Sequence, residues 1–246
     1  MQLPEVKGKV ERRLLVNYRV DPETIARVLP PPFRPQLVGG AAVAGICLIR
    51  LGELRPQGVP RWAGLRSENA AHRVAVEWDG PKGTQVGVYI PRRDSDSWVN
   101  VAMGGRLYPG EHHRARFHMA ETGNTLRVGY AAADGSAEVE VAVRLTDRLE
   151  NSALFPDIEA ASAFFERGSV GYSSTREPRR FEGLKLETSV WQVEPAVVTQ
   201  AHSSFFEDPA TFPTGTAELD CALVMREVPV VWKSLADLRA GAEAVA

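Results

Sequence analysis

Apolar and polar residues alternate with a period of two along most of this sequence, and this alternation constrains the fold more than any other feature. Val16, Tyr18 and Val20, for example, alternate with Asn17 and Arg19. Such a pattern is typical of β-strands with one buried face. The run 41–51 is apolar on both parities, which predicts an interior strand. The other predicted strands cover residues 72–78, 86–90, 98–103, 113–119, 125–130, 137–145, 184–193, 197–206 and 217–225.

Two segments predict short helices. Asp21-Pro22 places an N-cap residue before a proline at the first helical position. Pro156-Asp157 opens a second helix, which is expected to end at Gly168. From Ser234 onward we expect a short helix or a frayed tail.

About ten short strands and two short helices, without alternating β-α units, predict a mainly β (α+β) fold. The expected architecture is a largely antiparallel sheet curled into a barrel or a sandwich. The chain has 246 residues, of which 44% are hydrophobic, enough to bury a sizeable core. Because no shift in composition marks a linker, we predict a single domain over residues 1–246.

The balance of charged residues limits the kinds of binding partner that we expect. With 29 basic and 31 acidic side chains, the formal net charge is -2, so nothing indicates the positive surface that nucleic acids or anionic membranes attract. No apolar run reaches the ~20 residues that cross a bilayer, and the N-terminus is polar. We therefore expect a cytoplasmic protein without a nucleic-acid or membrane partner. Since no GxGxxG or phosphate-binding loop occurs, we also expect no cofactor. Cys47 and Cys221 lie in apolar runs without metal-site spacing, which predicts two buried free thiols.

Lysine is scarce in this chain. Among the 29 basic residues only five are lysines, and arginine supplies the rest. Genomic base composition that favours arginine codons is the simplest explanation. A reaction that requires a lysine amine nevertheless has only five candidate residues, which are Lys7, Lys9, Lys82, Lys185 and Lys233.

Two stretches resemble the acetoacetate decarboxylase-like superfamily, in particular its branch of uncharacterised bacterial proteins. The first runs from Asn17 to Phe33 through Val28-Leu29-Pro30-Pro31-Pro32, and the second from Ser67-Glu68-Asn69 to Tyr108-Pro109. The similarity covers roughly residues 10–123, and beyond that only the strand pattern matches. The resemblance implies a cone-like β-barrel that encloses a mostly apolar pocket, in a homo-oligomer.

The resembling decarboxylases form a Schiff base through a lysine directly after a Tyr-Pro pair, and a second lysine beside it lowers the pKa of the first. Here Tyr108-Pro109 is followed by Gly110-Glu111, and neither residue can form an imine. None of the five lysines lies within twenty residues of this point. We therefore expect no lysine-dependent decarboxylase activity.

Other site residues are carried over from the family pattern. A pocket glutamate falls on Glu68, and a pocket arginine falls on Arg12 or Arg13, since one residue of slip changes the face it occupies. A second pocket glutamate would fall near Gly45 and is absent. Tyr108 and Glu111, beside the lost lysine position, are further candidates for substrate binding.

Histidines are the best candidates for proton transfer. His112 and His113 follow the lost lysine position, and on a strand they face opposite ways, with His113 on the side expected to be the core. Either could act as a general acid or base, or could belong to a solvated polar face. Adjacent histidines do not suit a metal site, which requires both ligands on one face of a strand. His72 shares a face with apolar residues, which fits either a core histidine or a substrate-binding one.

These observations lead to two hypotheses. The first is a small-molecule enzyme of lyase, isomerase or cyclase character that acts on a carbonyl or keto-acid substrate, with Glu68 and His112 or His113 in proton transfer. Arg12 or Arg13 would then orient the substrate. The second is a non-catalytic ligand-binding protein that kept the pocket. The polar run 92–97 is expected to be a solvated loop, although an arginine there could bind a carboxylate.

Overall fold

The computed structural model describes residues 5–105 and 109–240. These residues form fourteen strands, three α-helices and a 3-10 helix at Arg61–Ala63. The helices are α1 Pro22–Ala26, α2 Trp98–Met103 and α3 Ile158–Arg167. The strands are β1 Val6–Val20, β2 Arg34–Pro35, β3 Leu37–Val38, β4 Ala41–Pro56, β5 Leu65–Gly80, β6 Gly83–Ser95, β7 His112–Thr122, β8 Thr125–Ala132, β9 Glu138–Leu145, β10 Val170–Ser174, β11 Arg180–Glu187, β12 Glu194–Ser203, β13 Ala217–Ser234 and β14 Leu238–Arg239.

The mainly β, largely antiparallel architecture predicted from the period-two pattern is confirmed. All fourteen strands belong to one sheet, and only the pairings of β6 with β7 and with β10 are parallel. The helices α1 and α3 begin where the caps predicted, because the Asp21 and Asp157 side chains each accept a hydrogen bond from a first-turn backbone N–H. No helix in the described part of the chain is long and apolar enough to cross a membrane.

Two predicted elements are wrong. Residues 98–103 form α2 rather than a strand, because the Ser97 side chain accepts a hydrogen bond from Asn100 N and caps a helix there. The segment after Ser234 contains the short strand β14, which pairs with β11, rather than a helix. The solvated loop expected at Arg92–Ser97 is in part a strand, because β6 continues to Ser95.

Five long strands, β13, β1, β4, β5 and β6, pair side by side in that order, and we call them the wall. The outer edge of β6 pairs with β10 at residues 88–89 and with β7 at residues 93–95. The outer edge of β13 likewise pairs with β12 at residues 222–224 and with β11 at residues 231–234. The wall therefore carries two branches, one of two strands (β10, β11) and one of four (β7, β8, β9, β12).

Each branch closes a ring of strands against the wall. The four-strand branch makes a nine-strand ring, and the two-strand branch makes a seven-strand ring. Side chains of the wall alternate between the two rings, as a pleated strand requires. On β1, Leu14 and Val16 pack in the large apolar cluster that β7, β8 and β9 complete. Leu15 packs on the opposite face with α3, so both faces of the wall are occupied.

Candidate functional site

A cavity of about 200 Å³ lies inside the seven-strand ring. All seven strands of that ring contribute residues to its lining, and so do the segment before β10 and the start of β7. Its lining is mostly apolar. The apolar lining residues include Val6, Ile49, Leu51, Leu54, Val88, Ile90, Leu184, Leu186 and Trp232.

Three arginines also line this cavity: Arg13 on β1, Arg73 on β5 and Arg93 on β6. Strand register explains why they meet. Ala71 is the Cα partner of Arg93 across β5 and β6, and Arg73 lies two residues further along β5, on the same face of the strand as Ala71. Arg13 comes from β1 on the other side of β4, where its Nε donates to Cys47 Sγ at 3.3 Å.

No carboxylate in the described part of the chain lies within ion-pair distance of these three guanidinium groups. Arg73 donates instead to the Asn17 side-chain amide oxygen, and Arg93 Nε donates to Ser173 Oγ at 3.2 Å. Burial lowers the pKa of Arg73 and of Arg93 to about 10, so both remain cationic at neutral pH. Buried cations without a counter-ion are costly, and they attract an anionic ligand strongly.

The one carboxylate that lines the cavity within the described ranges does not offset this charge. Asp94 is fully buried, and Arg92 donates to both of its carboxylate oxygens at 2.8 Å. A bidentate pair of this kind neutralises the acid locally. The cavity therefore combines apolar walls with an excess of positive charge.

His112 is the titratable base among the lining residues. It is the Cα partner of Arg93 across β6 and β7, and its Nδ1 lies 3.2 Å from the Gly110 carbonyl oxygen. Burial lowers the pKa of His112 to about 4, and the charge of Arg93 adds to the effect. The imidazole is thus neutral at pH 7 and can accept a proton from a bound molecule.

Two predicted site residues lie on the opposite face of the wall. Arg12 donates to Glu68 Oε2 at 2.6 Å, and Arg50 donates to Glu68 Oε1 at 2.5 Å. Arg12 also contacts Met119 Sδ at 3.4 Å, which places this cluster on the side of β7. Between the two alternatives that the sequence left open, Arg13 and not Arg12 reaches the cavity. Glu68 does not line it, whereas the next residue, Asn69, does.

Three further candidates also lie away from the cavity. His72 is fully buried inside the nine-strand ring, 4.8 Å from the Phe205 ring centroid, and neither ring nitrogen has a hydrogen-bond partner among the described residues. His113, expected to be the inner histidine, is 37% exposed, with Nδ1 3.6 Å from Asp134. Glu111 pairs with Arg176 at 2.9 Å on the surface. Tyr108 lies outside the described residues.

Several polar lining residues were not predicted from the sequence. They are Asn69, Arg73, Asn100, Ser169 and Ser234. Asn69 and Arg73 lie on the same face of the sheet as Cys47 and Ile49. The alternation of side chains would have placed both on the cavity face if the register of β4 and β5 had been known. Asn100 could not be found, because the segment that carries it was assigned to a strand. No group of histidine, cysteine and acidic side chains in the described ranges is arranged to hold a metal ion.

Solved structures with this fold include enzymes. The enduracididine biosynthesis enzyme MppR in complex with pyruvate matches with a TM-score of 0.65 and 13% identity, over 98% of this chain and 92% of that chain. The acetoacetate decarboxylase of Legionella pneumophila matches with a TM-score of 0.62 and 12% identity, over 99% and 90%. An acetoacetate decarboxylase-like enzyme from Sphingomonas wittichii RW1 matches with a TM-score of 0.59 and 11% identity, over 96% and 92%.

These matches define a protein of the acetoacetate decarboxylase-like fold, as the resemblance in the sequence implied. No curated protein sequence matches this chain. A family model matches residues 8–228, and the chain therefore belongs to the DUF2071 family, whose description is an uncharacterised conserved protein.

Proposed function

We propose that this protein is an enzyme that binds a small carboxylate with a carbonyl group, such as a keto acid, in the cavity of the seven-strand ring. It acts on this ligand by acid-base chemistry and without a Schiff base. The observation that carries the proposal is the set of three guanidinium groups, those of Arg13, Arg73 and Arg93, which have no carboxylate partner among the described residues and lie in an apolar cavity. A carboxylate ligand would supply the missing counter-ion, and the apolar walls would contact its carbon chain.

His112 is the proposed proton-transfer group. Its neutral imidazole lines the cavity beside Arg93, where it can take a proton from the carbon next to a carbonyl. A bound carboxylate offsets the charge of Arg93, which is the smaller of the two causes that lower the pKa of His112, and so raises this pKa above its unliganded value of about 4 and makes the imidazole a stronger base.

The positions of the lysines support a mechanism without an imine. None of the five lysines lines the cavity, and all five lie in the described part of the chain. Lys9 pairs with Glu227, and both Lys185 and Lys233 pair with Glu187. The fold matches to MppR bound to pyruvate and to acetoacetate decarboxylase fit a keto-acid ligand but do not specify one.

Exchange of the methyl protons of pyruvate for deuterium, followed by ¹H NMR in D₂O, tests the acid-base chemistry without knowledge of the natural substrate. The wild-type protein is expected to accelerate the exchange over buffer. His112→Gln should lower the rate about 100-fold or more, because a positioned base typically contributes that much. His118→Gln is the matched control, since His118 is exposed on the same strand and pairs with Glu140; it should leave the exchange unchanged.

Calorimetric titration with pyruvate and with acetone tests the charge requirement separately. Pyruvate should bind and acetone should not. Arg13→Met should weaken pyruvate binding about tenfold or more, since a hydrogen bond to a charged group contributes ~1.5–3 kcal/mol, whereas Met in place of the exposed Arg116 should have no effect. Equal affinities for acetone and pyruvate would contradict the carboxylate site. Binding of pyruvate without faster exchange would instead favour the non-catalytic binding protein.

A further inference from the structure

Cys47 lies among the cavity arginines and faces the same space as they do. Arg13 Nε donates to its sulfur at 3.3 Å, and both Arg73 and Arg93 interact electrostatically with it. Its Cα partner on β5 is Ala71, and Gly45 is its neighbour on the same face of β4. The Arg73 guanidinium lies beside Gly45, with Nη2 3.3 Å from where a Cβ on Gly45 would be, and so reaches this same face of β4.

A second observation indicates that an anion belongs beside this thiol. Arg73 is 3% exposed and makes one hydrogen bond to a described residue, the Asn17 amide oxygen, while its buried Nε has no partner. The guanidinium stacks over the Phe165 ring at 4.7 Å, so its position is fixed. Its unused donors and its charge are therefore oriented for an anionic ligand in the cavity.

We propose that Cys47 is a nucleophile toward small carboxylates that carry an electrophilic carbon, and that Arg13 and Arg73 hold the carboxylate beside its sulfur. This inference rests on the proposed function, because it uses the same arginines. With a 2-oxo carboxylate, a bond forms between sulfur and the carbonyl carbon, the π electrons move onto oxygen, and that oxygen takes up a proton as the thiol loses one. With an α-halo carboxylate, the sulfur–carbon bond forms as halide leaves, and the thiol proton passes to water.

Cys221 provides an internal control. It is as buried as Cys47, at 4% against 6% exposure, yet it does not line the cavity. Asn17 Nδ2 donates to its sulfur at 3.5 Å, and burial raises the pKa of the Cys221 thiol to about 12. Cys221 is therefore expected to be inert toward the same reagents.

Alkylation of the folded wild-type protein with iodoacetate and with iodoacetamide tests the proposal, because the two reagents differ mainly in charge. Peptide mass spectrometry measures the rate at each cysteine. At Cys47 the ratio of the iodoacetate rate to the iodoacetamide rate should be about ten times the ratio for free cysteine, or higher, because the arginines attract the anionic iodoacetate. Pyruvate should protect Cys47, and Cys47→Ser should abolish the adduct. Arg13→Met should reduce the ratio, and Arg116→Met should not.

The outcomes separate this inference from the proposed function. If pyruvate binds to the wild-type protein in calorimetry but Cys47 shows no preference for iodoacetate, the nucleophile assignment is overturned and the carboxylate site stands. If pyruvate does not bind and the preference is also absent, both fail. A preference for iodoacetate that appears equally at Cys221 would also overturn the assignment, because it would not come from the cavity.

Discussion

Two buried arginines of the wall, Arg12 and Arg73, have opposite electrostatic surroundings although they are exposed by only 4% and 3%. Arg12 forms an ion pair with Glu68 at 2.6 Å inside the nine-strand ring. Arg73 faces the cavity of the seven-strand ring, where it stacks over Phe165 and, among the described residues, donates to the Asn17 amide oxygen and to no carboxylate. Removal of Arg12 would leave the buried Glu68 without one of its two arginine partners, whereas Arg73 is a cost to the unliganded protein that a bound anion offsets.

This contrast predicts different effects of the same substitution. Arg12→Met should lower the free energy of unfolding by about 1.5–3 kcal/mol, because Glu68 loses a charged hydrogen bond. Arg73→Met should change it by less than about 1 kcal/mol without ligand, because an uncompensated charge is removed along with one hydrogen bond. Chemical denaturation with and without pyruvate measures both, and pyruvate should stabilise the Arg12→Met protein but not the Arg73→Met protein. A large loss of stability in unliganded Arg73→Met would mean that Arg73 supports the fold.

At the residue scale, the kinds of residue that line the cavity could be named in part, but the face of the strand could not. The family resemblance pointed to Arg12 or Arg13, of which Arg13, in the middle of β1, lines the cavity, and of the two histidines after the lost lysine position His112 lines it. The sequence could not choose between Arg12 and Arg13, because the β1–β4 register shifts between Val10 and Arg12. A shift of one residue exchanges the two faces of a strand, and nothing in a single sequence marks it.

At the scale of elements, strands were predicted better than their lengths. The core of β13 was predicted over residues 217–225, but the strand continues to Ser234, paired with β1 as far as Trp232 and with β11 over residues 231–234. Strand β6 likewise continues to Ser95, paired with β5 on one side and with β7 on the other. The alternation of apolar and polar residues shows that one face of a strand is buried, but it does not show which distant strand pairs with its edge. The two branches could therefore not be predicted from the sequence.

The close approach of β4 to β1 gives a prediction at this scale. A Cβ at Gly45 would collide with the Val16 carbonyl oxygen and lie 3.3 Å from Arg73 Nη2. Gly45→Ala should therefore lower the free energy of unfolding by about 1–3 kcal/mol, as overpacking does, and weaken pyruvate binding by displacing Arg73. Gly168→Ala is the control for stability alone, since its Cβ would meet only ordinary contacts at 3.6 and 3.7 Å but Gly168 itself lines the cavity. Thermal denaturation of the two variants and calorimetry of Gly45→Ala against the wild type measure the two effects, and equal thermal stability of the two variants would contradict the argument.

For the whole molecule, two buried histidines make stability depend on pH. Burial lowers the pKa of His72 to about 3 and that of His112 to about 4, with smaller contributions from Arg92 and Arg93 respectively. In the unfolded chain both titrate near 6.5. Between these values the unfolded state binds more protons than the folded state, so stability falls as the pH falls from about 6.5 to about 3. Above pH 7 both histidines are neutral in the folded and in the unfolded chain, so this loss of stability is absent.

Replacing His72 should remove part of this dependence. His72→Leu leaves an apolar side chain against Phe205 and eliminates two unpartnered nitrogens. The variant is expected to gain stability over the wild type, and to gain more at pH 5 than at pH 7.5. Urea denaturation at the two pH values measures the difference, with His202→Gln as an exposed control. Parallel curves for the wild type and His72→Leu would show that His72 does not contribute to acid sensitivity.

The wall has a consequence for how this family can diversify. Its five strands present one face to the cavity and the other to the large apolar cluster, so a substitution that moves their backbone disturbs both compartments at once. The two-strand branch supplies Gly171, Leu184 and Leu186 to the cavity and takes no part in the nine-strand ring. Changes in ligand preference are therefore expected at the cavity-facing positions of β10 and β11, whereas Tyr172 and Phe181, which pack in the large apolar cluster, should change as little as the wall.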